Sequence, residues 1–343
     1  MNITANGSSC SLYFTSSSYK IGATIALCSI FVVSILGNLC IGIIVYRTQT
    51  LRKPVNLLIV NMALSDLVFA VIVIPLTLIQ LHFVKSWIVK GALVGNAFCK
   101  LVPFVIHASF LVSVQSSVLI AVDRFGAVVF PLRSPVITTK LYPFVILATW
   151  IVATAVLSPF PIALSFDEKK GACAHDWKEN FGQSSSFRNY VVALFVVFIY
   201  IPAVLLCVLY SSILVKLKLQ KLLGEQTTTA QKQRAKRNRR VLKMAIAILL
   251  GFMLCWLPWS ITTKYLLFND ITLETIPCGF FIYWNIIWFI AVSHAAVNPC
   301  ICLTFSGNYR EGLKRLLKSF VCEGESQNES FSSFPLNVVE KRT

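Results

Sequence analysis

The segment VNLLIVNMALSDLVFAVIVIPLTLIQLHF, residues 55–83, indicates the fold class of this chain. Asp66 is its only aspartate, glutamate, lysine or arginine, and apolar residues fill most of the other positions. A helix needs about 20 apolar residues to cross the ~30 Å hydrocarbon core of a bilayer. The segment therefore predicts a membrane-spanning helix.

Six further stretches have the same length and composition. In chain order the predicted spans are Ile21–Tyr46, Val55–Phe83, Asn96–Phe130, Leu141–Phe166, Phe187–Leu217, Val241–Phe268 and Pro277–Phe305. Strands of a membrane barrel would instead alternate apolar and polar residues over about 10 positions. Only 13% of the residues are charged, against roughly 25% in soluble domains. The sequence predicts an all-α membrane protein, with a bundle of seven transmembrane helices over residues 21–306.

The distribution of charge predicts the orientation of the bundle. Counted with the adjoining span ends, the loops after spans 1, 3 and 5 and the C-terminal tail hold 22 Lys and Arg against 7 Asp and Glu. Counted in the same way, the N-terminal tail and the remaining loops hold 9 against 6. Because basic residues concentrate on the cytoplasmic side, we expect an extracellular N-terminus, a cytoplasmic C-terminus and a plasma-membrane location. The net charge of +17 then reflects topology and contact with anionic lipid, with no nucleic-acid partner.

The predicted extracellular side carries features of an oxidising, glycosylated compartment. The tail over residues 1–20 holds two glycosylation acceptors, at Asn2 and Asn6. Four of the eleven cysteines fall in the tail or loops of this side or at the adjoining ends of the spans. Disulfides form in that environment. These cysteines are Cys10, Cys99, Cys173 and Cys278.

The chain after the seventh span divides into two parts. Apolar residues at helical spacing opposite basic ones predict an amphipathic helix on the inner leaflet over residues 307–322. Cys322 ends that helix and is a candidate for palmitoylation, with a free cytosolic thiol as the alternative. Residues 323–343 are polar and are predicted to be disordered. The basic segment at 219–240 is predicted to be a solvated cytoplasmic loop and a candidate partner surface.

Charged residues inside a span are functional candidates, because burying one costs roughly 2.5–3.5 kcal/mol on insertion scales. Asp66 lies in the middle of span 2, and Asp123-Arg124 lies near the cytoplasmic end of span 3. We expect Asp66 to have a functional role rather than a purely structural one.

Each of the seven spans carries a short motif or a single marker residue. They are Gly37-Asn38, Leu64-Ser65-Asp66, Asp123-Arg124-Phe125, Trp150, Pro202 with Tyr210, Cys255-Trp256-Leu257-Pro258 and Asn298-Pro299. Over residues 20–322 the chain resembles the rhodopsin-like (class A) G-protein-coupled receptors. The resemblance implies a receptor that binds an extracellular ligand and activates heterotrimeric G proteins when helix 6 moves outward. It also implies receptor kinases and arrestin as further partners, and no enzymatic activity.

The resemblance assigns roles to particular residues. It implies a disulfide between Cys99 and Cys173, and a second between Cys10 and Cys278 as in some peptide receptors. The residues expected to switch between resting and active states are Asp123, Arg124, Tyr210, Phe252, Trp256, Pro258, Asn298 and Pro299. Cys302 stands where the family has a tyrosine that stabilises the active state. This departure leaves open a receptor that captures its ligand without signalling.

The resemblance also implies an ion site. Asp66, Ser113, Asn38 and Asn298 correspond to the polar cluster that holds an allosteric sodium ion in many family members. His294 is a less usual residue for such a cluster. The alternative is a polar network filled with water. We expect no other cofactor.

The residues of spans 3 and 7 argue against two classes of ligand, retinal and monoamines. Span 7 has no lysine for a retinal Schiff base, and Ile106 stands where amine receptors have an aspartate. Helical spacing points a set of aromatic and polar residues toward the outer half of the bundle, although such aromatic residues also serve helix packing. The candidate ligand residues are Gln80, Ile106, His107, Phe110, Trp259, Thr263, Trp284 and Trp288. Acidic residues in the outer loops favour a neuropeptide, with a lipid or small organic molecule as the alternative.

Two other classes of function are disfavoured. A transporter or channel usually carries internal repeats, and seven spans with one deep charge give no sign of them. An enzyme is disfavoured because the four histidines are scattered along the chain without metal-ligand spacing or a nucleophile–base pattern.

Overall fold

The computed structural model places most of the chain in long helices. It describes residues 17–83, 91–130, 138, 140–167, 172–175, 177–182, 184–222, 229–269 and 278–332. Asn2, Asn6 and Cys10 therefore lie outside the described residues. For Cys278 and Cys322 the backbone is described but the side chain is not.

Seven helical spans are long and apolar enough to cross a membrane within the described residues, which confirms the predicted class. Spans 1 to 3 are Ser17–Arg47, Pro54–His82 and Ala92–Val129. Span 4 is Tyr142–Leu157 followed by the short helix Pro159–Ala163. Span 5 consists of Ser184–Phe195, a π-helical turn at Val196–Tyr200, and Ile201–Leu222. Spans 6 and 7 are Thr229–Phe268 and Cys278–Phe305, and the juxtamembrane helix is Gly307–Ser332.

The end of span 4 differs from its prediction. The helix stops at Ala163, and Leu164–Asp167 form strand β1 instead of the last turn of a helix. Strand β1 pairs antiparallel with strand β2, Ala172–His175. The prediction of helix through Phe166 was therefore wrong over residues 164–166, because a short apolar run does not distinguish a strand from a helix. We call the end of the bundle that carries this hairpin the hairpin end, and the opposite end, with Arg124, the Arg124 end.

The helices also extend further beyond the membrane than predicted. Span 6 begins at Thr229 and span 5 continues to Leu222, so much of the predicted basic loop at 219–240 is helical. Its lysines, arginines and glutamines are good helix formers, and their polarity removes them from the bilayer without ending the helix. The juxtamembrane helix likewise runs to Ser332, past the predicted end at 322, so residues 323–332 are helical rather than disordered.

The bundle has an apolar exterior and a partly polar interior. Large apolar side chains such as Phe144, Leu254 and Val208 are exposed on the surface, where lipid would surround them. Polar side chains such as Asn61 and Asp66 are fully or almost fully buried. This arrangement is what a bilayer requires, because polar groups are costly in contact with hydrocarbon.

Two close approaches fix the helices around the polar interior. A Cβ atom on Gly37 would lie 2.7 Å from the ring of Pro299, so spans 1 and 7 pack backbone against side chain at that level. A Cβ on Gly312 of the juxtamembrane helix would lie 2.4 Å from Ile44 of span 1. Small residues at helix contacts allow such approaches in membranes.

Candidate functional site

A buried carboxylate lies at the centre of the bundle. Asp66 of span 2 is completely buried. The hydroxyl of Ser113 donates to its Oδ1 at 3.1 Å, and the amide nitrogen of Asn298 donates to its Oδ2 at 2.7 Å. Nε2 of His294 lies 3.7 Å from Oδ1. Residues of spans 2, 3 and 7 thus meet in one polar cluster.

Asn38, the fourth predicted member of the ion site, makes other contacts. Its amide nitrogen donates to the backbone carbonyls of Ser34 at 2.9 Å and Ala295 at 2.8 Å. It therefore joins span 1 to span 7, and none of the hydrogen bonds between described residues joins it to Asp66.

Aromatic rings separate the polar cluster from the hairpin end. The ring of Trp256 lies 4.2 Å from Phe110 and 5.0 Å from His294, measured between centroids. Phe69 lies edge-on to both Trp256 and His294, at 6.1 and 4.5 Å. Phe110 also stacks on Phe252 at 5.8 Å. Trp256 thus contacts the imidazole beside Asp66 directly.

Three tryptophans of spans 6 and 7 form a cluster on the hairpin side of Trp256. The ring of Trp259 lies 4.2 Å from that of Trp284 and 4.8 Å from that of Trp288. We call these three residues the tryptophan cluster. All three are partly exposed within the bundle. The hydroxyl of Thr263, one turn further along span 6, is buried and has no hydrogen-bond partner among the residues that the structure describes. These four predicted ligand residues therefore lie in one region.

The other candidate ligand residues do not join this cluster. His107 stacks on Phe160 at the end of span 4, with ring centroids 5.0 Å apart. Ile106 packs partly buried among apolar side chains, and Gln80 is exposed near the end of span 2. Phe110 belongs to the rings around Trp256. The predicted set is thus distributed over several walls of the bundle rather than gathered at one point.

A second aromatic group was missed by the sequence analysis. Trp177 is buried, and its ring lies 5.0 Å from Tyr190 and 4.6 Å from Phe181. Tyr190 in turn lies 5.7 Å from Phe160, which connects the group to His107. The signal available was the position of Trp177, four residues after Cys173 and hence close to the disulfide.

The β hairpin is fixed to span 3 at the hairpin end. Cys99 and Cys173 form a disulfide, with 5.5 Å between their Cα atoms, as the resemblance predicted. The side-chain oxygen of Asn96 accepts a hydrogen bond from the backbone nitrogen of Phe166 at 2.9 Å. A Cβ on Gly95 would lie 2.3 Å from the Phe166 ring, so only glycine allows this contact.

At the Arg124 end, the guanidinium of Arg124 pairs with the carboxylate of Asp123. The other carboxylate oxygen accepts a hydrogen bond of 2.9 Å from the hydroxyl of Tyr142, which is fully buried at the start of span 4. Tyr210 is buried in the same apolar cluster as Tyr142. The sequence analysis did not single out Tyr142, because its distance from Asp123 along the chain gave no sign of contact.

Cys302 is buried in that cluster together with Tyr309, the third residue of the juxtamembrane helix. The hydroxyl of Tyr309 donates to Asn56 of span 2 at 3.3 Å. Burial raises the pKa of Tyr309 well above its ordinary value, with the nearby Cys302 as a smaller cause. The phenol therefore stays protonated and keeps its hydrogen available to Asn56.

Trp150 holds spans 2, 3 and 4 together. Its indole nitrogen donates to the side-chain oxygen of Asn61 at 2.9 Å. The amide nitrogen of Asn61 donates to the hydroxyls of Ser116 at 2.9 Å and Thr149 at 3.2 Å. Every polar atom of the Asn61 side chain thus has a partner.

Residues 37–301 match the family model of the 7 transmembrane receptor (rhodopsin family). The chain is 27% identical to the RYamide receptor of Drosophila melanogaster, over 89% of this chain and 65% of that protein. It is 27% identical to a QRFP-like peptide receptor of Branchiostoma floridae, over 84% and 75% of the two chains. It is 32% identical to the growth hormone secretagogue receptor type 1 of Mustela putorius furo, over 86% and 80%. The alignments thus span between about two thirds and four fifths of these relatives.

Proposed function

Since the chain belongs to the rhodopsin family of seven-transmembrane receptors, we propose that it is a G-protein-coupled receptor of the plasma membrane. Ligand binds at the hairpin end, and heterotrimeric G protein is activated at the Arg124 end. One observation carries the proposal: an unbroken path of contacts from Trp256 through His294 and Asp66 to Asn298. A ligand that moves the aromatic rings would act on the polar cluster without any intervening gap.

The orientation is part of the proposal. The hairpin end faces the cell exterior, where the disulfide between Cys99 and Cys173 would form and persist. The Arg124 end faces the cytoplasm, where Arg310 and Lys314 of the juxtamembrane helix meet anionic lipid. The excess of basic residues in the loops and tail of that end supports the same orientation.

We propose a peptide as the ligand. The relatives include proteins named for the peptides RYamide and QRFP. The tryptophan cluster offers large aromatic faces for an aromatic or amidated peptide end, which stacks on indole rings and leaves its polar edge free. A lipid or small organic ligand is the competing hypothesis. Receptor kinases and arrestin would act on the serine-rich tail, and Cys322 would carry a palmitoyl chain.

The test is a G-protein dissociation assay in cells that express the full chain. A library of short amidated peptides is applied to the receptor and to Arg124→Ala. Arg52→Ala is the matched control, because Arg52 is an exposed arginine in the loop after span 1 whose guanidinium donates to the carbonyl of Tyr46. We expect a peptide response that Arg124→Ala abolishes and Arg52→Ala retains at equal surface expression.

A receptor that binds without signalling is the second candidate, favoured by Cys302. A thiol replaces the family's phenol at a buried position, in the apolar cluster that also contains Tyr210. Peptide binding to the cell surface with no G-protein response would support this candidate. If the library gave neither binding nor a response, the proposal of a peptide ligand would be overturned.

A further inference from the structure

The polar cluster around Asp66 was expected to hold sodium, and its geometry allows that expectation to be tested. A hard cation is held by several oxygen ligands, as calcium is by six to eight at about 2.3–2.6 Å. Asp66 instead receives an N–H from Asn298 and an O–H from Ser113. The amide oxygen of Asn298 is therefore turned away from the carboxylate, because its nitrogen occupies that side.

No hydrogen bond between described residues joins span 1 to this carboxylate. The amide nitrogen of Asn38 is committed to two backbone carbonyls. Among the described residues, its oxygen and the hydroxyl of Ser34 are buried without hydrogen-bond partners. The oxygens that hydrogen bonds of the described residues bring together are those of the carboxylate and the Ser113 hydroxyl, fewer than the six to eight that a hard cation such as calcium takes.

His294 occupies the remaining side of the carboxylate. Its ring is 3% exposed and packs edge-on against both Phe69 and Trp256, so it has little freedom to move aside. Its Nδ1 lies 2.9 Å from the carbonyl oxygen of Ala291. A carbonyl only accepts, so Nδ1 carries a hydrogen and the neutral ring presents the lone pair of Nε2 toward Asp66.

Two acceptors therefore face each other across 3.7 Å, and no described residue donates a hydrogen bond to Nε2. A single hydrogen between Nε2 of His294 and Oδ1 of Asp66 would satisfy both atoms without a metal. We propose that His294 replaces sodium in this receptor. The imidazole fills the space beside Asp66, connects it directly to Trp256, and makes the receptor insensitive to sodium.

The test measures sodium binding through stability, so it does not depend on any signalling activity. A ligand that binds only the folded state raises the melting temperature in proportion to the logarithm of its concentration. The full chain in lipid nanodiscs is melted in sodium chloride and in N-methyl-D-glucamine chloride at equal ionic strength and pH. We expect the two melting temperatures of the wild-type receptor to agree within about 1 °C.

His294→Asn is the decisive variant, because an amide is smaller than imidazole and offers an oxygen to a cation. We expect it to gain a sodium-specific rise of about 2 °C or more, and His294→Ser serves if the first variant expresses poorly. The gain should disappear in the double variant with Asp66→Asn. A wild-type receptor that sodium stabilises, with loss of the effect in Asp66→Asn, would overturn the proposal. Sodium insensitivity of both His294 variants would also overturn it, since the imidazole would then not be what excludes the ion.

Discussion

The hydroxyl of Tyr142 donates a 2.9 Å hydrogen bond to Oδ1 of Asp123, while Arg124 holds the other oxygen of the same carboxylate. Tyr142 is fully buried, and its bond joins the start of span 4 to the half of span 3 at the Arg124 end. A carboxylate held from two sides binds its arginine in one geometry. On the proposed function, we expect Tyr142 to stabilise a resting arrangement of the pair in which Arg124 is not available to a G protein.

Removal of this hydroxyl should raise basal signalling. Tyr142→Phe keeps the ring that packs in the apolar cluster and deletes one hydrogen bond to a charged group. Such a bond contributes about 1.5 kcal/mol, which corresponds to roughly a tenfold change in an equilibrium. We expect basal G-protein dissociation to rise about three- to tenfold at matched surface expression.

The matched control is Tyr190→Phe. Its hydroxyl also makes one 2.9 Å hydrogen bond, but to the carbonyl of Val156 on a different part of span 4. Basal signalling should not change in that variant. If basal signalling is unchanged in Tyr142→Phe and the variant responds normally to its agonist, then the hydroxyl of Tyr142 does not stabilise the resting state.

The hairpin end offers a test of packing. Gly95→Ala places a Cβ atom 2.3 Å from the Phe166 ring, and this ring is held by the backbone bond of Phe166 to Asn96. Overpacking of this kind costs typically 1–3 kcal/mol. We expect a lower melting temperature and a displaced hairpin, measured by thermal unfolding in nanodiscs and by proteolysis of the loop.

Gly22→Ala is the control for the hairpin prediction. Gly22 lies in span 1 with no atom within 4 Å of the added Cβ, so the substitution meets open space. Alanine is favoured over glycine within a helix by roughly 0.5–1 kcal/mol. The control should therefore be as stable as the wild type or slightly more so. Equal melting temperatures for the two variants would mean that Phe166 moves aside freely.

The fold was largely predictable because each span is a long apolar run, and length decides membrane insertion. The errors fell where composition is ambiguous. Leu164–Asp167 is apolar enough to continue span 4, yet it forms a strand whose partner is known only once Cys173 is placed. The start of span 6 at Thr229 was missed because the hydropathy of a basic helix resembles that of a loop.

Individual residues of the site could be predicted from the sequence, but most of the contacts between them could not. Asp66 was identified from the cost of burying its charge, and the structure places Ser113 and Asn298 on it. Contacts between distant residues were not accessible from the chain. Tyr142 reaches Asp123, and Asn38 bonds to Ala295 rather than to Asp66, because helix packing decides which side chains meet.

The contact between Trp150 and Asn61 should contribute to stability. Trp150→Phe retains most of the ring but leaves the buried oxygen of Asn61 without its donor. An unsatisfied buried acceptor costs about 1–3 kcal/mol in soluble proteins, and polar contacts in membranes contribute about 0.6 kcal/mol on average, with a maximum near 1.7. We expect destabilisation of about 1 kcal/mol, seen as a lower melting temperature in nanodiscs.

A second substitution distinguishes the lost bond from lost packing. In the double variant Trp150→Phe, Asn61→Leu the unsatisfied oxygen is removed as well. Ser116 and Thr149 retain their bonds to the carbonyls of Val112 and Ile146, so they are not left unpaired. The double variant should therefore lose less melting temperature than the sum of the losses in the two single variants. Strict additivity would mean that the ring, rather than the hydrogen bond, carries the contribution.

The tryptophan cluster should determine agonist potency. Trp259 contacts both Trp284 and Trp288, so its removal opens the cluster from the centre. Loss of a buried tryptophan anchor typically costs 2 kcal/mol or more of binding, or about 30-fold in affinity. For the agonist found in the peptide screen, we expect Trp259→Ala to lower potency by about that factor and Trp259→Phe by less.

Tyr265→Ala is the control for the tryptophan cluster, because Tyr265 lies on the same span as Trp259 with half of its surface exposed. Unchanged potency in Trp259→Ala at normal surface expression would place the ligand elsewhere, with the aromatic group around Trp177 and Tyr190 as the next site to test by the same substitution.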